Sequence, residues 1–239
     1  MRFIKQSKYN VMFTQIKGLI RLAIFYVKII RYRLDKIIIK NNFLKAFKPL
    51  IYLSFWRHLY SDKLSEGVRV RLALESLGPI FIKFGQTIST RSDLLPAAIA
   101  TELAKLQDTC PPFPAKESKT IIEKGLGNKV EKLFSSFEKQ PLSSASIAQI
   151  HTAVNHQGEN IIIKVVRPGI KKQIAQDLQL LYFLAAIIDK NENGKRLRLI
   201  EAVSIFEKII YNELNMMTEA ASASLLKENF QNSDLLYVP

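Results

Sequence analysis

Hydrophobic positions along this chain recur first at helical intervals and later at strand-like ones. Residues 62–77 carry hydrophobic side chains at helical spacings, which predicts a helix. Gly78-Pro79 interrupts that pattern and predicts the start of a second helix. Two further helices are expected at about residues 97–108 and 115–126, the second ending at Gly125/Gly127.

Residues 111–114, whose prolines enforce extended backbone, precede the helix at 115–126, and the pattern changes after that helix. Strand-forming residues then predict three strands, at residues 133–142, 147–154 and 161–166. A polar loop between the last two favours a hairpin. Two long helices are expected at about residues 170–189 and 197–230. Helices, an antiparallel strand group and further helices together indicate an α+β fold.

Residues 16–40 form a basic amphipathic pattern. Four basic residues share one helical face: Lys17, Arg21, Lys28 and Arg31. Four hydrophobic residues share another: Ile20, Ile24, Val27 and Ile30. The uncharged runs are much shorter than the ~20 residues of a membrane span. Two interpretations stay open, a helix lying on an anionic membrane surface and a helix whose hydrophobic face docks on its own domain.

Positive charge concentrates in the same part of the chain. Residues 1–60 hold 13 of the 35 Lys and Arg residues and one acidic residue, Asp35, whereas residues 61–239 hold 22 basic and 20 acidic residues. Most of the net charge of +14 therefore belongs to the N-terminal segment, which argues against reading the whole chain as a nucleic-acid-binding domain. The single cysteine, Cys110, forms no intrachain disulfide, and the histidine spacing indicates no metal site.

Two lysines lie in hydrophobic surroundings. Lys83 and Gln86 are three residues apart on one face of a predicted helix, where a cation and an amide require a buried polar partner or a polar ligand. Lys164 interrupts the strand at residues 161–166, which is hydrophobic on both faces and is expected to be central and buried. A buried ammonium requires a carboxylate or an anionic ligand. The alternative is a lysine at a sheet edge that reaches solvent.

Two further features accompany Lys164. Residues 143–148, which we call the Ser/Ala loop, join the first two predicted strands with small side chains and no glycine. In isolation, this loop fits a tight hairpin. Glu213 and Glu219 lie six residues apart on the predicted last helix, so their side chains point in different directions. They therefore have different partners, or both are solvated.

These segments together resemble the UbiB family of atypical kinase-like proteins. Residues 83–96 are similar to its KxGQ…SxRxDLLP signature, with matches at Lys83, Gly85, Gln86, Ser89, Arg91, Asp93 and Pro96. Residues 144–151 are similar to its alanine-rich loop in the form SASIAQxH, and residues 213–220 to its ExD…EA segment. Asn215 and Thr218 depart from that segment, where aspartate and arginine are common. The resemblance covers most of residues 62–239.

The resemblance implies a protein-kinase-like small lobe, an antiparallel sheet plus a long helix, preceded by a helical extension. It implies ATP as the cofactor, with Lys164 on the phosphates and one glutamate orienting each lysine, Glu219 being assigned to Lys164. Lys83 and Gln86 would cover the nucleotide site and restrict access by protein substrates. The loop residues at the phosphates would be Ala145, Ser146, Ile147 and Ala148.

We therefore predict three regions: a basic amphipathic segment at residues 1–60, a helical extension at 61–128 and a kinase-like small lobe at 129–239. No catalytic-loop aspartate and no Asp-x-Gly motif for Mg²⁺ occurs in this sequence, and the family would place both beyond Pro239 with the large lobe. We expect an N-terminal portion that binds nucleotide weakly, does not turn over ATP and exposes hydrophobic surface.

The expected function is support of ubiquinone (coenzyme Q) biosynthesis by a UbiB-like atypical kinase or ATPase at the cytoplasmic face of the cell inner membrane. The expected partners are an anionic membrane surface and ubiquinone-biosynthesis proteins or lipid, without nucleic acid. The alternative is a non-enzymatic peripheral membrane or lipid-binding module with a kinase-like scaffold.

Overall fold

A computed structural model describes residues 16–40, 48–60, 63–91, 95–106, 110–190, 192–231, 233–236 and 238. Asp93 of the predicted signature lies outside them. The helices before the sheet are α1 (Ile16–Arg31), α2 (Asp35–Lys40), α3 (Lys48–Tyr52), α4 (Glu66–Leu77), α5 (Pro79–Ser89), α6 (Ala97–Leu103), α7 (Ala115–Leu126) and α8 (Val130–Leu133), with a 3-10 turn at Phe55–Leu59.

The start and end signals of the helices before the sheet are confirmed at several positions. Ser65 caps α4, its hydroxyl accepting a hydrogen bond from the Val68 amide at 3.4 Å. Gly78, with a φ of 106°, ends α4, and Pro79 begins α5. α7 ends at Gly127 in the left-handed conformation. α6 is shorter than predicted: it ends at Leu103, and the Leu106 carbonyl accepts a hydrogen bond from the Gln86 side chain at 2.9 Å.

The sheet consists of β1 (Ser136–Phe137), β2 (Ser143–Ser144), β3 (Ala148–Val154) and β4 (Asn160–Val166), with β3 at its centre. β3 pairs antiparallel with β4 along its whole length, which confirms the predicted hairpin. On its other side it pairs with β1 and β2, which lie end to end.

The prediction of one strand at residues 133–142 is wrong. Leu133 ends α8, and the strand is split into β1 and β2. Backbone bonds from Glu138 to Thr152 and from Leu142 to Ile150 flank the split, so three residues bulge opposite a single residue of β3. Pro141, which has no amide to donate, lies within that bulge.

The prediction that the strand carrying Lys164 is central and buried is also wrong for the part of the chain that the structure describes. There β4 pairs with β3 alone and forms the edge of the sheet. Val165 packs against α7 and α8, whereas the Ile162 residue is 62% exposed and the Lys164 side chain 40% exposed. A strand hydrophobic on both faces does not reveal how many strands flank it.

The helices after the sheet are α9 (Ile170–Ile188), α10 (Glu192–Lys195), α11 (Leu199–Glu213) and α12 (Met216–Asn229). The prediction of one long helix at residues 197–230 is wrong, because the helix is broken at Leu214 and Asn215. The Asn215 side chain accepts a hydrogen bond from the Thr218 amide at 3.2 Å and so caps a new helix.

The main hydrophobic core joins α4, α5, α9 and α11 through buried residues such as Phe81, Ile174 and Phe206. α1 packs against this core through Leu22 and Phe25. The N-terminal helix therefore docks on its own domain, although not through the predicted hydrophobic face.

Only Ile30 of that predicted face is buried. Ile20, Ile24 and Val27 are 54%, 40% and 46% exposed. The predicted basic face is divided too, since the Arg21 guanidinium bonds to the buried Asp177 at 2.6 Å. Among the described residues, no helix combines the length and hydrophobicity needed to cross a membrane.

Candidate nucleotide-binding site

A cavity of about 480 Å³ brings together most of the residues predicted to carry chemistry. Its lining includes Lys83 from α5, Lys164 from β4, Glu213 at the end of α11, Glu219 in the first turn of α12, and the Ser/Ala loop. This volume lies within the range of small-molecule sites. Four segments far apart in the sequence therefore meet around one space.

Lys164 and Glu219 form the predicted pair across this cavity. The Lys164 ammonium donates to both carboxylate oxygens of Glu219 at 2.8 Å. The ammonium has three donors, so this contact leaves one for a further acceptor such as a phosphate oxygen. Glu219 lies in the first turn of α12, where the positive end of the helix dipole favours a carboxylate.

Lys83 pairs with the other glutamate. Its ammonium lies 2.6 Å from Glu213 Oε1, with the two side chains 20% and 35% exposed. The two glutamates therefore have separate partners, as their spacing predicts. Sequence reasoning did not identify the helix break that separates them, although Asn215 followed by a helix-forming run is a recognisable cap signal.

The Ser/Ala loop makes a tight turn between β2 and β3. The Ala145 amide donates to the Ala148 carbonyl at 2.8 Å. Ile147 is buried and packs in the main core, and Ser146 is 1% exposed. The loop is thus a short hairpin, as its composition predicts, and the same hairpin borders the cavity. The buried Ile147 side chain fixes this hairpin to the main core.

Gln86 makes contacts that are separate from those of Lys83. Its amide nitrogen donates to the Leu106 carbonyl at 2.9 Å, and Gln86 is not among the lining residues. Gly85 permits close packing, since a Cβ there would approach Leu106 Cδ1 to 2.5 Å and Leu74 Cδ1 to 2.7 Å. Gly85 and Gln86 thus attach the chain around Leu106 to α5.

The other signature residues on this helix make local contacts. The Ser89 hydroxyl donates to the Gln86 carbonyl at 2.7 Å, and the Arg91 amide donates to the Ile88 carbonyl at 3.0 Å. The structure brings neither residue into the cavity. Of the signature, Lys83 alone lines it within the described part of the chain.

Three lining residues escaped sequence reasoning: Asn212, Thr218 and Ser222. Each has a recognisable relation to a predicted residue. Asn212 and Thr218 directly precede Glu213 and Glu219, and Ser222 follows Glu219 by three residues on the same helix. Spacing from the glutamates is the signal that could have found them.

A second cavity of about 500 Å³ is lined by residues of α4 and α5 together with Lys105, Cys110 and Pro111. Its charged groups satisfy each other, with Arg71 bonded to Glu75 at 2.7 Å and to Glu102 at 3.2 Å. The hydrogen bond from Lys105, together with that from Arg71, holds the pKa of Glu102 below its usual range. This cavity contains none of the predicted site residues, so we assign the candidate site to the first.

Comparisons with known proteins match this architecture. Residues 105–239, more than half of the chain, match the family described as the ABC1 atypical kinase-like domain. A probable protein kinase UbiB of Marinobacter nauticus is 45% identical over 227 residues, which are 95% of this chain and 41% of that protein. The protein of the same name in Pseudomonas fluorescens is 49% identical over 214 residues, covering 88% of this chain and 40% of that protein.

The chain thus spans about two fifths of the length of the curated relatives it matches. Among solved structures, that of the Rv3197–erythromycin complex from Mycobacterium tuberculosis is 25% identical. It aligns with a TM-score of 0.41 over 70% of this chain and 42% of that chain.

Proposed function

The chain belongs to the ABC1 atypical kinase-like family, and we propose that its cavity is one side of the nucleotide site of a UbiB-like atypical kinase or ATPase that supports ubiquinone biosynthesis. The observation that carries this proposal is the Lys164–Glu219 pair beside the Ser/Ala loop. In kinases, a strand lysine paired with a helix glutamate holds nucleotide phosphates beneath a hairpin loop. The family membership confirms the predicted kinase-like small lobe.

The chemistry of the cavity supports ATP as the cofactor. Two ammonium groups border the space, and each is oriented by a carboxylate. Each lysine is neutralised by its glutamate, so the cavity carries little net charge. A phosphate therefore competes with Glu219 for the Lys164 ammonium. We assign Lys164 to the phosphates, Glu219 to orienting Lys164, and Ala145 and Ser146 to capping the phosphates.

Lys83 has a different role in this proposal. Its helix, α5, packs in the main core and places Lys83 in the lining of the same cavity. We assign the Lys83–Glu213 pair to covering the nucleotide and limiting the approach of a protein substrate. Gln86 supports this indirectly, by fixing the chain at Leu106.

Mg²⁺ would supply charge neutralisation on the phosphates. We assign no residue of this chain to Mg²⁺, because both cavity glutamates are engaged by lysines. Within the described part of the chain, no group of three His, Cys, Asp or Glu side chains is arranged to hold a metal ion. We accordingly expect these 239 residues to bind nucleotide without measurable Mg²⁺-dependent ATP hydrolysis, and hydrolysis above background would contradict that expectation.

The test is nucleotide-induced thermal stabilisation. ADP or ATP at about 100 times its Kd should raise the Tm of the wild-type chain by ~5–10 °C. Lys164→Ala should abolish most of that shift. The matched control is Lys119→Ala, since Lys119 forms another long-range surface pair, with Glu131, and its side chain is 41% exposed against 40% for Lys164. Equal shifts in all three proteins would refute the phosphate role.

A second function, docking on an anionic membrane surface, is favoured by the exposed face of α1. Ile20, Ile24 and Val27 form a solvent-facing hydrophobic stripe, and Arg31, four residues after Val27, is also exposed. Further exposed hydrophobic residues lie near by on the chain: Tyr52, Leu53, Phe55 and Leu59. A hydrophobic stripe in a segment of strong positive charge suits the headgroup region of an anionic bilayer. We propose this as the anchor at the cytoplasmic face of the inner membrane, where lipid or ubiquinone-biosynthesis proteins would be met.

Vesicle flotation tests the anchor with substitutions rather than deletions, because α1 contributes to the core. Ile24→Asp with Val27→Asp should reduce flotation with vesicles that contain anionic lipid. Ile205→Asp on α11 is the control, since Ile205 is also about half exposed, at 48%. Unchanged flotation of the double variant would exclude α1 as the anchor.

A further inference from the structure

We propose that Arg167 is a positioning residue for the nucleotide phosphates, because it clamps the Ser/Ala loop to the proline-rich linker at residues 110–114. This inference rests on the proposed nucleotide site. Arg167 follows β4 directly and is three residues from Lys164. Arg167 is not among the residues that line the cavity, and its side chain bonds to the loop and to the linker.

The Arg167 side chain binds three acceptors from two segments. Its Nε donates to the Ala145 carbonyl at 3.0 Å, and its Nη2 donates to the Ser144 hydroxyl and to the Pro111 carbonyl, both at 2.8 Å. A guanidinium holds its donors in a rigid plane, so these contacts fix the relative positions of the loop and the linker. A lysine cannot reproduce this geometry.

The backbone of the same residue holds the other end of the loop. The Arg167 amide donates to the Ile147 carbonyl at 2.8 Å. One residue therefore bonds to the loop at Ala145 through its side chain and at Ile147 through its backbone. Between these two points lies Ser146, one of the two residues that the proposed function assigns to capping the phosphates.

The linker completes the clamp from the outside. The Cys110 amide donates to the Ser144 carbonyl at 3.0 Å, so the linker runs along β2. Phe113 exchanges hydrogen bonds with the side chain of Gln149, its amide donating at 3.0 Å and its carbonyl accepting at 3.3 Å. Gln149 is fully buried, and its amide nitrogen also donates to the Ser118 hydroxyl at 2.7 Å.

The composition of the linker suits this role. Three of its five residues are prolines, which restrict the backbone before any contact forms. The Arg167 guanidinium also lies over the Phe113 ring, 5.6 Å from its centroid. A stiff linker that bonds through three of its residues therefore holds the Ser/Ala loop in one position.

Holding the Ser/Ala loop in position matters because this loop contains no glycine. Its Cβ atoms narrow the backbone conformations it adopts, so its amides suit a phosphate only in one arrangement. Loosening the clamp should therefore weaken contacts to phosphates while leaving contacts to the adenosine moiety intact. Lys164 lies on β4 and keeps its ion pair with Glu219 whether or not the clamp is loosened.

The test compares ADP with adenosine in the wild-type chain, Arg167→Gln and Arg167→Lys. Arg167→Gln should weaken ADP binding about tenfold, the scale of one to two lost hydrogen bonds, and leave adenosine binding unchanged. Arg167→Lys should resemble Arg167→Gln, since the fork geometry and not the charge is required. Arg196→Gln, at an exposed arginine between α10 and α11, is the matched control.

Ser144→Ala removes one acceptor of Arg167 with little risk to folding and should weaken ADP binding a few-fold. Equal losses for ADP and adenosine, or no loss in Arg167→Gln and Ser144→Ala, would overturn the inference while leaving the nucleotide site standing. A wild-type chain that does not bind ADP would overturn the proposed function and the inference with it.

Discussion

α11 and α12 follow one another along the chain, yet they differ in how firmly the protein holds them. α11 buries Val203, Phe206 and Ile210 in the main core, and the Phe206 ring lies 5.2 Å from that of Phe84. α12 has no buried residue. One helix is therefore fixed by packing, whereas the other is held by its cap and by ion pairing.

The two lysine–glutamate pairs of the cavity follow the same division. Lys83 and Glu213 both lie on helices of the main core. Lys164 lies on an edge strand, and its partner Glu219 is 54% exposed. Exposed pairs contribute ~0–1 kcal/mol, so a phosphate can take Lys164 from Glu219 at little cost. The cavity thus has a fixed wall, formed by Lys83 and Glu213, and an adjustable wall, formed by Lys164 and Glu219. The ligand is expected to change the contacts of the adjustable wall.

The largest expected effect separates the two helices by stability. Phe206→Ala should lower the free energy of unfolding by about 3–5 kcal/mol, because a fully buried ring is removed from the core. Leu225→Ala on α12, where the side chain is 58% exposed, should change it by less than about 0.5 kcal/mol. Chemical denaturation measures the free energy of unfolding of both variants. Similar losses of stability would contradict the distinction between a packed α11 and an exposed α12.

The next effect concerns the junction between the helices. Asn215→Ala should cost about 1 kcal/mol, since the Thr218 amide loses its cap. It should also lower the nucleotide-induced thermal shift, because the first turn of α12 orients Glu219. Asn215→Asp retains an acceptor and serves as the control, with an expected change close to zero. A full nucleotide response in Asn215→Ala would show that the cap is irrelevant to the cavity.

A smaller effect distinguishes the lysines. Lys83→Met should destabilise the fold by roughly 1 kcal/mol, because Glu213 is left partly buried beside the core without its partner. Lys164→Met should lie within about 0.5 kcal/mol of the wild type in the absence of nucleotide. Thermal and urea unfolding of both variants check this order, and the reverse order would contradict the assignment of fixed and adjustable walls.

The smallest effect is a pH dependence in the fixed core. Burial raises the pKa of Asp177 above its ordinary value of 3.8, against the opposing effect of Arg21. A carboxyl with a raised folded-state pKa contributes stability at low pH that is lost as the pH rises through that pKa. The stability of the wild type relative to Asp177→Asn should therefore fall between about pH 3.8 and neutrality, as measured by urea unfolding. A relative stability that rises over this range would contradict the direction of the shift.

Local signals in the sequence predicted several helix boundaries, because such signals depend on a few neighbouring residues. Gly78-Pro79 and Gly127 are examples. The same reasoning paired Lys164 with Glu219 through a family resemblance, and the structure contains that pair. The α+β class and the kinase-like small lobe were likewise predictable.

Features that depend on distant parts of the chain were not predictable. The edge position of β4 depends on which strands pair with it, and hydrophobicity does not report that. The exposed isoleucines of α1 face solvent while Leu22 and Phe25 pack against the core, and hydrophobic spacing along one helix does not report which face meets a partner. The clamp formed by Arg167 joins residues 22 to 56 positions apart, so no local pattern indicates it.

Hydrogen exchange with and without ADP tests most directly whether the cavity is a nucleotide site with one adjustable wall. Without ligand we expect slow exchange in α11 and fast exchange in α12, and ADP should then protect the Ser/Ala loop and the first turn of α12 while leaving α11 unchanged. Absence of ADP-dependent protection in the loop and α12, under conditions where ADP saturates the protein, would show that the cavity is not such a nucleotide site.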